Sequence, residues 1–154
     1  MLALPKLPLK TRRIICKPVR QYFVKLFYRE TLKEHIEIFD IMLADLLAED
    51  YPMYKKTIEL SIFDGIGFIP EPKSLAISRR FDSKVHKSID WSLTNDFDLT
   101  GIHLWHRNLK RYIPIRLRFH MDSLSQIFTN NPSNFRQEFD LTKIKKKGLT
   151  NTRL

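Results

Sequence analysis

The sequence is poor in cysteine and glycine and contains no long apolar run. Its one cysteine, Cys16, can form neither an internal disulfide nor a cysteine-based metal site. With only 4 glycines and 43% hydrophobic residues, it is neither collagen-like nor wholly disordered. The most apolar stretch, residues 36–47, is interrupted by acids, so no run reaches the roughly 20 residues that cross a bilayer. These absences predict a folded intracellular protein, cytoplasmic or mitochondrial and not secreted, without a transmembrane segment.

The motifs of common catalysts are also missing. The sequence has no glycine-rich phosphate loop and no Gly-x-Ser-x-Gly nucleophile elbow. His103 and His106 lie on opposite faces of the strand proposed below, and no cysteine or acid completes a zinc set. We therefore predict no catalytic residues, no metal and no cofactor. The alternative of a small basic nuclease would use His103 or His120 as acid and base, with Arg116 and Arg118 holding phosphate.

Positive charge is concentrated at the two ends of the chain. Residues 1–29 contain 8 basic residues and no acid, residues 30–100 contain 8 basic and 14 acidic residues, and residues 101–154 contain 11 basic and 3 acidic residues. The net charge of +10 therefore comes from two segments of +8 that flank a segment of −6. Such blocks are typical of surfaces and tails that bind polyanions. The acid-free N-terminus is also typical of an organellar transit peptide, which is the basis for expecting a mitochondrial location.

The spacing of apolar residues predicts one α+β domain, in which N-terminal amphipathic helices pack on a mostly antiparallel sheet and the termini are extended and basic. We expect residues 1–17 to form a proline- and lysine-containing arm, residues 18–140 the domain, and residues 141–154 a basic tail. A basic helix is predicted from Pro18 and an acidic helix from Thr31. The sequence leaves open whether these are two helices or one.

After Pro52 the apolar period changes from about 3.6 to 2, which predicts strands. A first hairpin is expected about Asp64-Gly65, because this dipeptide suits a two-residue turn. The remaining elements are predicted in this order: strands over 57–62, 66–69, 75–77 and 89–93, a hairpin over 99–119, a short helix over 122–128 and a last short helix ending near 139.

The hairpin over residues 99–119 carries the main candidate binding surface. With Asn108 and Leu109 as its loop, Trp105 faces Tyr112, and the two faces of the hairpin differ in character. One face is apolar and is expected to pack on the helices: Ile102, Leu104, Ile113, Ile115 and Leu117. The other collects cations and rings: His103, Trp105, Arg107, Lys110, Tyr112, Arg116 and Arg118. Because guanidinium groups neutralise phosphate and rings stack on bases, this face is typical of single-stranded nucleic-acid binding. The alternative is a Trp105–Tyr112 pair packed under another element.

Two further basic segments are candidate polyanion contacts. The C-terminal tail carries four cations that suit RNA, DNA or anionic lipid, or that are simply solvated: Lys143, Lys145, Lys146 and Lys147. The helix from Pro18 carries cations beside an apolar stripe. This combination suits binding to a membrane or a partner protein, and the alternative is that the stripe packs in the core. The candidate residues are Arg20, Tyr22, Phe23, Lys25 and Phe27.

These features lead us to expect a non-catalytic RNA-binding or ribonucleoprotein-assembly subunit. Its expected partners are nucleic acid, with RNA preferred over DNA, and neighbouring protein subunits. The expected contacts to nucleic acid are Trp105, Arg107, Lys110, Tyr112, Arg116, Arg118, Lys143, Lys145, Lys146 and Lys147. The first alternative is a peripheral membrane-associated or matrix-type scaffolding protein that binds an anionic membrane surface through the basic helix, and the second is the small basic nuclease.

Overall fold

A computed structural model describes the backbone of residues 17–154 and the side chains of residues 31–154. The chain divides into two units, residues 1–32 and residues 33–154. Of the first unit the structure describes the helical backbone that begins at Lys17. Residues 1–16 of the predicted arm over residues 1–17 lie outside the described residues, and Lys17 belongs to the helix.

The two predicted N-terminal helices form one helix, α1, Lys17–Leu46. This stretch contains no glycine, and its one proline, Pro18, lies in the first turn, where a missing N–H is tolerated. The second helix, α2, Pro52–Leu60, begins at a proline. The strand predicted over residues 57–62 is therefore wrong up to Leu60. Tyr54 and Thr57 are the buried residues of this segment, and their spacing of three is helical.

Six strands form one antiparallel sheet in the order β1-β2-β5-β4-β3-β6. The strands are β1 Ser61–Pro70, β2 Lys73–Phe81, β3 Phe97–His106, β4 Arg111–His120, β5 Ser123–Phe128 and β6 Phe139–Arg153. Short helices α3, Ser83–Ser88, and α4, Phe135–Glu138, lie between strands, as do 3-10 turns at Trp91–Leu93 and Pro132–Asn134. The predicted α+β class with a mostly antiparallel sheet is confirmed.

Three predicted local elements are wrong. Asp64 lies within β1, where the register shifts between Phe63 and Gly65, and the β1–β2 turn instead follows Pro70. The strand predicted over residues 89–93 contains a 3-10 turn that begins where Asp90 Oδ1 accepts the Ser92 N–H at 3.1 Å. The helix predicted over residues 122–128 is strand β5. Met121 and Asp122 have φ values of 50° and 57°, the left-handed conformations that a two-residue hairpin turn requires.

The C-terminal residues also differ from the prediction, because residues 141–153 belong to the edge strand β6 and not to a tail beyond the domain. β6 pairs with β3 along most of its length. Its lysines lie on both faces of an edge strand, so the sequence shows no apolar alternation there. Gly101 and Gly148 make this pairing possible: both have positive φ, and a Cβ on Gly101 would lie 2.6 Å from the Gly148 carbonyl oxygen.

The core of the second unit lies between one face of the sheet and the helical segments 33–46 and 52–60. Tyr54 of α2 meets Phe119 of β4 edge to face, with ring centroids 4.9 Å apart. The fully buried side chains include Ile36, Phe39, Leu43 and Leu47 from the helical side and Leu75, Leu99, Ile102, Leu104, Leu117 and Ile127 from the sheet. Over β3, β4 and β6 the opposite face is open to solvent, and the side chains of Arg116, Lys143 and Lys145 are exposed there.

A buried ion pair joins the helices to the sheet within this core. The Asp40 side chain on α1 is 0% exposed and lies 2.8 Å from Nε of Arg79 on β2, whose side chain is 5% exposed. The Tyr54 hydroxyl donates to the same carboxylate and to the Asp40 backbone oxygen. Burial raises the pKa of the Asp40 carboxyl, although Arg79 and Tyr54 oppose the shift, and burial raises the pKa of Tyr54 as well. Three elements therefore meet at one buried carboxylate.

Candidate nucleic-acid interface

The register of β3 and β4 carries the ring residues to the solvent side of the sheet. Trp105 pairs with Tyr112, and four apolar residues beside them pair as predicted, Leu104 with Ile113 and Ile102 with Ile115. Leu104 is fully buried, whereas Trp105 and Tyr112 are half-buried. The predicted register and division into two faces are confirmed for the strand residues. The predicted two-residue loop at Asn108 and Leu109 is wrong, because the turn spans residues 107–110 and takes Arg107 and Lys110 out of the ladder.

One cluster on this face, the Trp105 cluster, consists of Trp105, Tyr112, Lys143 and Lys145. The two ring centroids are 5.2 Å apart, with the planes at 74°. Lys143 Nζ lies 5.2 Å from the Trp105 ring centroid, and Lys145 Nζ lies 4.1 Å from that of Tyr112. Both lysines are on β6. The pairing of β6 with β3 is irregular between the Leu104–Ile144 and Trp105–Asp140 pairs, so residues 141–143 have no register partner on β3. Two rings and two ammonium groups from three strands are thus brought together.

A second cluster, the Phe128 cluster, consists of Asp98, Arg116, Arg118 and Phe128. Arg116 and Phe128 are direct neighbours in the β4–β5 pairing, and the Arg116 Cζ lies 3.8 Å from the Phe128 ring centroid. Arg118 lies 5.1 Å from the same ring and donates two hydrogen bonds to Asp98, at 2.7 and 3.0 Å. The hydrogen bond to Asp98 raises the pKa of Arg118. Asp98 therefore offsets the charge of Arg118, whereas Arg116 contacts no carboxylate among the described residues.

His103 lies between the two clusters, paired with Pro114 on β4 and with Lys145 on β6. Its Nδ1 is buried and has no hydrogen-bond partner within residues 31–154. We call the surface formed by the Trp105 cluster, the Phe128 cluster, His103 and Asp140, which pairs with Trp105 from β6, the outer face. Four of its side chains are cationic, Arg116, Arg118, Lys143 and Lys145, and two are anionic, Asp98 and Asp140, so these charged side chains give it a net charge of +2.

Six of the predicted contact residues lie together on the outer face: Trp105, Tyr112, Arg116, Arg118, Lys143 and Lys145. The other four lie elsewhere. Lys146 Nζ is 3.0 Å from the Asp50 carboxylate, beside the end of α1, because neighbouring residues of a strand point to opposite faces. Lys147 is exposed next to Gly148. Arg107 and Lys110 belong to the four-residue β3–β4 turn, where Arg107 Nε donates to the Arg136 carbonyl.

The interpretation of the N-terminal helix as a membrane or partner surface stays a prediction. The backbone of its residues Arg20, Tyr22, Phe23, Lys25 and Phe27 lies in α1, but their side chains lie outside the described residues. Across the described part of the chain, no helix has the length and apolar composition that crossing a membrane requires.

The histidines do not converge. His106 lies on the core side of β3 against Phe139, and its Nδ1 accepts the Leu109 N–H at 3.1 Å, whereas His103 lies on the outer face. His120, at the far end of β4, has its Nδ1 3.1 Å from the Asp96 carboxylate. A hydrogen bond from the Met121 N–H lowers the pKa of Asp96, and His120 adds to this effect. Within the described residues no group of three or more His, Cys, Asp and Glu side chains could hold a metal ion.

Sequence reasoning missed Phe128 and Asp98 as members of the face. Phe128 fell in a predicted helix, and only the strand conformation of β5 aligns it with Arg116 across the ladder. Asp98 had a usable signal, because it stands between Phe97 and Leu99 in an alternating stretch whose apolar members are buried. The chain matches no protein-family model, and comparisons with curated proteins and with solved structures also give no match.

Proposed function

We propose that this protein is a non-catalytic RNA-binding subunit of a ribonucleoprotein assembly, with RNA and neighbouring proteins as its partners, and that the outer face contacts the RNA. One observation carries the proposal: three aromatic rings on three adjacent strands each have a cationic side chain over the ring, on a sheet face that is open to solvent.

The chemistry of these side chains suits a nucleic acid in two ways. Lys143, Lys145 and Arg116 supply positive charge for phosphates, and the last of these contacts no carboxylate among the described residues. The rings of Trp105 and Tyr112 supply flat apolar surfaces on which bases stack. The side chain of an exposed lysine is flexible. When a base stacks on one of these rings, the ammonium group that lay over the ring can therefore move aside and contact a phosphate.

The shape of the face favours a single strand over a duplex. Trp105 and Tyr112 are half-buried on the sheet face, so they stack on a base only when that base is unpaired and turned outward. A base inside a double helix is covered by its neighbours in the stack, and side chains cannot read the deep, narrow major groove of an RNA duplex. Binding to a duplex would therefore use phosphate contacts alone.

The proposal is tested by titrating fluorescently labelled single-stranded RNA with the wild-type protein and with Trp105→Leu. Stacking of one base contributes about 1–3 kcal/mol, so Trp105→Leu is expected to weaken binding by about 5- to 150-fold. The matched control is Trp91→Leu, because Trp91 packs against Phe81 away from the outer face and donates its indole N–H to the His86 carbonyl.

Equal affinities for the wild-type protein and Trp105→Leu, with both folded by circular dichroism, would contradict the proposal. Equal losses in Trp105→Leu and Trp91→Leu would contradict it as well, because they would show a general effect of removing an indole. Parallel titrations with DNA of the same sequence show whether the face distinguishes the two nucleic acids.

A further inference from the structure

The Phe128 cluster contains a positively charged group held against a ring. The Arg116 Cζ lies 3.8 Å from the Phe128 ring centroid, which is close contact between a guanidinium carbon and a ring face. Arg116 is exposed, so the side of its guanidinium that faces away from Phe128 is available to solvent. Bases in single-stranded RNA stack on arginine planes as they do on aromatic rings. The Phe128 ring supports such a plane before any ligand arrives.

The neighbouring residues leave Arg116 free for this role. Both Asp98 carboxylate oxygens accept hydrogen bonds from Arg118, at 2.7 and 3.0 Å. The Asp98 carboxylate therefore offsets the charge of Arg118, and no neighbouring carboxylate within the described residues offsets the charge of Arg116. Of the two arginines, Arg118 positions the cluster and Arg116 faces the solvent.

The Phe128 cluster is separate from the Trp105 cluster. Tyr112 and Arg116 are four residues apart on β4, which corresponds to about 13 Å at the 3.3 Å rise of a strand. At the 3.4 Å rise of stacked nucleotides, this distance corresponds to roughly four steps, so a single strand covers it with about five nucleotides. One base cannot contact both clusters, and a short continuous strand can.

We infer that Arg116, supported by Phe128, is a second base-stacking subsite, so that the ligand of the outer face is one single strand of about five nucleotides or more with unpaired bases at both clusters. This inference rests on the proposed function and deepens it, because it defines the length and the unpaired state of the RNA. Mononucleotides, dinucleotides and duplexes engage at most one subsite.

The test compares dinucleotide and octanucleotide uridylates binding to the wild-type protein and to Arg116→Lys. This substitution keeps the charge and removes the plane, and its site is exposed, so the fold is retained. The matched control is Arg111→Lys, which alters an exposed arginine of the same strand opposite His106, outside both clusters. Phe128→Leu provides a second variant, which removes the supporting ring.

The wild-type protein is expected to bind the octanucleotide at least tenfold more tightly than the dinucleotide. Arg116→Lys and Phe128→Leu are expected to lose most of this difference, with dinucleotide binding unchanged, and Arg111→Lys is expected to keep it. Octanucleotide affinity that is unchanged in Arg116→Lys would overturn the second subsite. If Trp105→Leu still weakens binding in that case, only the second subsite fails; if the wild-type protein binds neither oligonucleotide, the proposed function fails with it.

Discussion

Removing the arginine of the buried ion pair tests the account of the core. In Arg79→Met the apolar stem of the side chain is retained and the guanidinium is lost, which leaves the Asp40 carboxylate buried with the Tyr54 hydroxyl as its remaining side-chain partner. Breaking a buried pair by removing one partner costs about 3–5 kcal/mol. With a urea m-value of about 2 kcal/mol per molar, this lowers the unfolding midpoint by roughly 2 M.

The loss of stability in Arg79→Met depends on pH, because burial shifts the pKa of Asp40. Burial raises the pKa of Asp40 above its ordinary value of about 3.9, so above that pH the folded state holds the proton more tightly than the unfolded state does. The contribution of this carboxyl to stability is therefore greatest in acid and falls as the pH rises from about 4 through the folded pKa. Loss of Arg79 removes an opposing influence and raises this pKa further, so the variant loses more stability over this range than the wild-type protein does.

The assay is urea unfolding of both proteins at about pH 4.5 and about pH 7.5, with the destabilisation by Arg79→Met compared between the two conditions. The other carboxyls with shifted pKa values, including Asp96 and Asp140, affect both proteins equally and cancel in this comparison. We expect a larger destabilisation at pH 7.5, and a smaller one when Asp40→Asn accompanies Arg79→Met. A destabilisation below about 1 kcal/mol, or one that is equal at the two pH values, would refute the reasoning.

Three other expectations concern β6 and the outer face. Gly101→Ala is expected to unfold at lower urea than Gly148→Ala, because the new Cβ would lie 2.6 Å from the Gly148 carbonyl oxygen, whereas a Cβ on Gly148 meets nothing within 4 Å; equal midpoints would contradict the close approach. Neutralising Lys143 and Lys145 to glutamine should reduce the slope of log affinity for single-stranded RNA against log salt concentration by about 1.4, whereas the same change at Lys146 and Lys147 should leave it unchanged. A reduction by the second pair alone would transfer the phosphate contacts away from the outer face. Tyr112→Leu should weaken single-strand binding by about 5- to 150-fold with its thermal midpoint nearly retained, and the opposite pattern would make the ring a core residue.

The parts of the fold that the sequence predicted are those where both partners of a contact show the same period. β3 and β4 alternate apolar and polar residues on each side of a short turn, so the hydrophobic pattern alone determines which of their residues face each other. β5 lacked such a signal, because the turn before it places Met121 in the left-handed conformation, which a methionine does not indicate, and Asp122 is equally typical of a helix N-cap.

Two further features depend on residues far apart in the chain. β6 carries lysines on both faces, which is tolerated at the edge of a sheet and looks like a tail in the sequence. Asp40 interrupts an apolar helix face in the sequence and has the appearance of a surface acid. Its complete burial is explained by two residues later in the chain, Tyr54 and Arg79, which hydrogen-bond to its carboxylate. For the same reason Phe128 was not predicted to join the outer face, since its partner Arg116 lies on another strand.

Ultraviolet crosslinking of an octanucleotide uridylate to the wild-type protein, with the crosslinked residues located by mass spectrometry, tests the central claim most directly. Aromatic side chains that stack on a base are placed for this reaction, so we expect crosslinks at Trp105 or Tyr112 that unlabelled single strand competes away and duplex of the same length does not. Crosslinks that fall only outside the outer face, or that duplex removes as effectively, would contradict the assignment of this sheet face as a single-strand RNA surface.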